Sequence, residues 1–132
     1  MHKNKARVAP VLGAENVPER VNWYNDNLNF TCPGGIFTGM DNNPVYAVLK
    51  RADLEIHIQI RRRSPQPNHR EPIESDAYFF TADTKALYQR CKSRGVKIIR
   101  AIDDSPYGLT DFCIEDLAGN RLNFGWESEH LT

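Results

Sequence analysis

Apolar positions along the chain follow a period of two, broken twice by short stretches at helical spacing. Between residues 54 and 60, Leu54, Ile56, Ile58 and Ile60 alternate with Glu55, His57 and Gln59, the pattern of a strand with one buried face. Residues 107–126 (YGLTDFCIEDLAGNRLNFGW) read as strand, tight turn, strand. Asp111 and Cys113 alternate with Phe112 and Ile114, residues 116–120 have turn composition, and Leu122 and Phe124 then alternate with Arg121, Asn123 and Gly125. The side carrying Asp111, Cys113, Arg121 and Asn123 is too mixed for a plain solvent face or a plain core, so it is expected to wall a cavity.

The remaining elements repeat one order. Residues 6–14 form an extended run in which Pro10 removes a backbone donor, placing it at a sheet edge or making it a hinge. Asn16 caps a helix with Pro18 in its first turn, and Val21, Tyr24 and Leu28 recur at i, i+3 and i+7 with Trp23 at the flank. A loop over 27–35 leads to strands at 36–39, 45–50 and 54–60. The second half begins with a strand at 77–81. Asp83 or Thr84 caps a helix striped by Leu87, Tyr88 and Cys91, and Gly95 ends it. A strand at 96–99, a loop over 102–108 and the 107–126 hairpin follow. The chain therefore reads as one domain, residues 1–132, of two βαβββ modules (6–61 and 73–127) joined by a Pro-rich linker (62–72). The expected class is α+β, with curved mixed sheets around a groove and the helices on the outer faces.

Composition narrows the function. Lys plus Arg and Asp plus Glu both number 17, so no overall field recruits nucleic acid or an anionic membrane. No apolar run reaches the ~20 residues of a membrane span, and the N-terminal MHKNKARVAP lacks a signal peptide's apolar stretch, which predicts a cytoplasmic protein. The Arg61, Arg62, Arg63 run has no aromatic interleaving and reads as a charged exit from a strand. Cys32, Cys91 and Cys113 are odd in number and lack CxxC spacing, so they read as reduced, small, buried residues. His2, His69 and His130 share no motif spacing and read as solvent-exposed.

Three stretches carry a family resemblance. VAPVLGAENVPERVNWYNDNLNF (8–30), YAVLKRADLEIHIQI (46–60) and DFCIEDLAGNRLNF (111–124) resemble, in order, segments of the vicinal oxygen chelate superfamily, which includes glyoxalase I, bleomycin resistance proteins and extradiol dioxygenases. The second stretch, with His57, is closest to the bleomycin resistance branch; in the third, Leu117 stands where the family usually has Pro. The resemblance implies four metal-ligand positions, one on each of four groove-facing strands. They map to Ala9, Ala77, Asn123, and Glu55 (or His57 if the register slips by two). Alanine has no donor atom, Asn is a poor ligand, and a catalytic metal needs about three protein ligands. The expectation is no metal and no cofactor.

With the Lewis acid gone, the resemblance implies a homodimer that sequesters a small aromatic or cationic, antibiotic-like molecule in a groove, as antibiotic resistance proteins do. Pro10 marks where a first strand would exchange. Phe37, Tyr46, Tyr107 and Trp126 are the candidate plates and Glu55 and Asp111 the candidate acids, with Asn123 and His57 beside them. His57 reads equally as a packed, hydrogen-bonded histidine or as a ligand contact. Glu55 and Asp111 read as pocket lining, or as an acid–base pair across the groove. Cys113 reads as a small buried residue before a nucleophile. The alternative function is a lyase or isomerase with a displaced metal site.

Overall fold

Two four-stranded mixed sheets carry the chain. In the computed structural model, residues 5–61 and 70–130 are described; His2, Arg62, Arg63 and His69 lie outside them. The first sheet has the order β1 (Val11–Ala14), β4 (Leu54–Ile60), β3 (Pro44–Arg51), β2 (Ile36–Thr38), and the second β5 (Ala77–Phe80), β8 (Arg121–Glu127), β7 (Leu109–Glu115), β6 (Lys97–Asp104). In each, the first strand runs parallel to the last and the rest are antiparallel. α1 (Val17–Leu28) follows β1 and α2 (Thr84–Ser93) follows β5, so the sequence-level repeat is a structural one.

Local chemistry fixes the elements. The Asn16 side chain accepts from the Glu19 amide at 3.0 Å, Pro18 sits in the first turn, and Asn29 ends α1 in the left-handed region at φ 61°. In β4, Ile56 and Ile58 are fully buried while Glu55, His57 and Gln59 alternate onto the other face. The strand expected at 96–99 runs to Asp104 instead. Pairing of Arg100 with Cys113 and of Asp103 with Asp111, across register shifts, lets β6 continue through the polar Asp103–Asp104 pair. The loop there shrinks to four residues.

Each helix covers one face of its sheet. α1 packs on β3 and β4, α2 on β6, β7 and β8, and the helices also touch each other. One core therefore joins both modules, with Tyr24, Phe30, Leu49 and Ile58 from the first and Leu87, Phe112 and Phe124 from the second. Phe124 stacks between Phe79 and Phe112 at 5.2 and 5.6 Å. The β7–β8 turn clasps the first module: the Tyr24 hydroxyl donates to Asp116 Oδ2 at 2.7 Å, and Arg20 reaches the same oxygen at 3.5 Å and the Gly13 carbonyl at 3.0 Å. What each sheet leaves uncovered is its helix-free face. No helix among the described residues is long and apolar enough to cross a membrane.

Candidate functional site

The helix-free face of the second sheet is built around one buried carboxylate. Asp111 on β7 is fully buried. Its Oδ2 accepts from Tyr78 at 2.7 Å and Tyr107 at 3.2 Å, and its Oδ1 pairs with Arg100 at 2.8 Å. Charge and hydrogen bonds together are what a carboxylate needs away from water. Burial, and then the bond to Asp111, push the Tyr78 phenol well above its ordinary range, so this hydroxyl stays a donor. Gly125 on β8 makes room for the arrangement: a Cβ there would overlap the Tyr78 hydroxyl and lie 2.7 Å from the Asp111 Cβ.

Beside this cluster opens a cavity of about 750 Å³. Ile73, Ile102, Pro106 and Tyr107 supply apolar wall, and Arg100, Asp111 and Asn123 supply polar floor. Asn123 Oδ1 is buried and accepts no hydrogen bond among the described residues.

A second polar cluster occupies the helix-free face of the first sheet. The Tyr46 hydroxyl lies 2.6 Å from His57 Nδ1, and His57 Nε2 lies 2.7 Å from Glu55 Oε2. Arg7 reaches Glu55 Oε1 at 2.6 Å, with Lys50 Nζ at 3.8 Å. The bond from His57, then Arg7 and Lys50, hold the Glu55 carboxyl below its usual range. Phe37, half-exposed, is the cross-strand partner of Tyr46.

The residues predicted for one groove thus fall into two groups. Phe37, Tyr46, Glu55 and His57 share the first sheet, while Asp111 and Asn123 share the second, with Tyr107 on the loop between β6 and β7. Glu55 and Asp111 do not pair; each has its own partners. Trp126 belongs to neither group, because it follows the parity of the buried Leu122 and Phe124 and so faces the helix side. Tyr78 and Arg100 are functional candidates that the sequence did not single out.

A metal does not fit these residues. Phe79 is buried on Phe124, so Ala77 shares its core-facing parity and the groove position of β5 is Tyr78, paired in register with Asn123. The corrected set of Ala9, Glu55, Tyr78 and Asn123 holds one ordinary ligand, and its carboxylate oxygens already accept from His57 and Arg7. Among the described residues no three His, Cys, Asp or Glu side chains come together around a possible ion.

The same arrangement of strands and helices recurs in solved structures. A glyoxalase-related enzyme from Clostridium phytofermentans superposes with a TM-score of 0.72 at 14% identity, covering 95% of this chain and 98% of its own. A bleomycin-binding protein in complex with bleomycin gives 0.68 at 18% identity, covering 94% and 100%. The bleomycin-binding protein of Streptomyces verticillus, in complex with copper(II)-bleomycin, gives 0.62 at 23%, covering 92% and 95%. No curated protein matches in sequence. The family model of the glyoxalase/bleomycin resistance protein/dioxygenase superfamily matches residues 7–124, and the chain belongs to that superfamily.

Proposed function

We propose that this protein binds and sequesters a small aromatic, antibiotic-like molecule without a metal, as a homodimer whose subunits bring their helix-free faces together. The observation that carries the reading is the cavity of about 750 Å³ beside Asp111. It lies within the size range of small-molecule sites and pairs apolar walls with a few fixed polar groups. Tyr107, 63% exposed, offers a plate for a flat ring, and Arg100 and Asn123 line the cavity beneath it.

Charge refines the ligand. Glu55 and Asp111 are each neutralised by an arginine, so neither supplies free negative charge for a polycation. Asp103 and Asp104 at the cavity rim are exposed and suit a single amine substituent. The reading therefore favours a planar ring system bearing one positive group over a heavily cationic one.

The test is a calorimetric titration of the native protein with bleomycin and with a planar quinone antibiotic that carries one amino sugar. Saturable binding of the planar compound is expected, weakened about tenfold or more in Tyr107→Ala, the scale of an aromatic anchor's loss. No saturable response to either compound would defeat the proposal.

A further inference from the structure

We propose that Tyr46 is the nucleophile of an acyl-transfer site on the first sheet, with His57 as its base and Glu55 as the positioning carboxylate, for substrates of the activated aryl ester class. The site is separate from the cavity on the second sheet and does not rest on the binding function proposed for it.

Hydroxyl, imidazole and carboxylate stand in one chain, at 2.6 and 2.7 Å. Glu55 is kept ionised by its neighbours and can only accept, so Nε2 of His57 is the protonated nitrogen. In the neutral imidazole Nδ1 is then bare, and the Tyr46 hydroxyl donates to it. This is the logic of a base-activated nucleophile held by a third group, with a phenol in the place of an alcohol. The two rings meet edge to face, 5.5 Å apart at 84°, which fixes the approach. Both side chains stay half-buried, and Phe37 beside Tyr46 is 52% exposed, an open apolar surface for an aryl group.

In the step, the Tyr46 oxygen bonds to the ester carbonyl carbon as its proton passes to His57 Nδ1. The ester C–O bond breaks and the phenolate leaves with that electron pair. The His57 proton passes to solvent once the phenolate has left. Water then attacks the acyl carbon as His57 Nδ1 takes one of its protons, the bond to the Tyr46 oxygen breaks with its electron pair staying on that oxygen, and His57 returns the proton to Tyr46 as the carboxylic acid departs.

The experiment treats the full chain with 4-nitrophenyl acetate, follows nitrophenolate release, and locates the acetyl group by peptide mass spectrometry. The expected result is a stoichiometric burst with the acetyl group on Tyr46. Tyr46→Phe should abolish the burst. His57→Gln should slow it on the order of a hundredfold, the usual loss of a general base. Glu55→Gln should slow it less, with the KM for the ester unchanged. Acetylation of Tyr46 no faster than of the more exposed Tyr107, or an undiminished burst in His57→Gln, would each overturn the proposal.

Discussion

At the residue scale, burial separates the three thiols. Cys91 is fully buried in the core and burial pushes its thiol up to about 12; Cys113, on β7 behind Asn123, is pushed up to about 11 by the same cause. The reactive species is the thiolate, so both are inert near neutrality despite arginines nearby. Cys32 is only half-buried, with its Sγ directed at the Gly35 carbonyl at 3.2 Å. A disulfide reagent such as Ellman's should titrate one thiol in the native protein at pH 8 and three in denaturant, with peptide mapping placing the native label on Cys32. Two fast native thiols would show that the helix-free face of the second sheet opens more readily than its packing implies.

At the element scale, strands differ in how openly their sequence declares which face is which. β4, β7 and β8 alternate polar with apolar residues, so the sequence itself puts Glu55, His57, Asp111 and Asn123 on the face opposite the core. β5 is AYFF, apolar throughout, and periodicity carries no face information there. The family pattern, counted back from Asp83, points to Ala77, whereas the register puts Tyr78 beside Asn123 on the helix-free face. Arg100 escaped because a bulge shifts the register of β6 against β7, and no alternation rule survives a bulge. Trp126 was misplaced by its chemistry, an aromatic ring that suits a ligand plate, against its own parity. The one signal left unused was Gly125, since a glycine inside a strand marks a close approach. Gly125→Ala is expected to cost about 1–3 kcal/mol, the scale of overpacking, and to break the Tyr78–Asp111 bond, because the new methyl overlaps both. Gly13→Ala first meets the flexible Arg61 side chain, which can move aside, and should cost less. Urea unfolding of the two variants checks the order, and a larger loss in Gly13→Ala would contradict it.

At the scale of the whole molecule, the two modules hold together by a shared core and by polar clasps at its margin. Duplication was visible in the sequence as a repeated element order; the clasps were not, because they join residues far apart in the chain, such as Tyr24 with Asp116. A further clasp joins Arg51, at the end of β3, to Asp83, the residue capping α2, with Nη2 and Oδ2 2.6 Å apart. The Arg51 bond, aided by a hydroxyl from Thr81, holds the Asp83 carboxyl below its usual range. A carboxyl that ionises more easily folded than unfolded stabilises the fold at every pH above the unfolded value, about 3.9 for aspartate. That contribution disappears as the pH falls through the lower, folded value. Asp83→Asn removes the charge and one of the two acceptor oxygens that Arg51 engages, and it breaks no cap bond, because the Asp83 side chain makes none to the helix. Because the Asp83 side chain is 46% exposed, solvent screens the pair, and the variant should lose only about 0.5–1 kcal/mol at pH 7. The difference from wild type should hold steady down to about pH 5, a unit above that unfolded value, and vanish once the pH has dropped below the folded one. Urea denaturation of both proteins across that range measures it. A gap that persisted undiminished in acid would mean that the Asp83 side chain contributes through shape and hydrogen bonding and not through its charge.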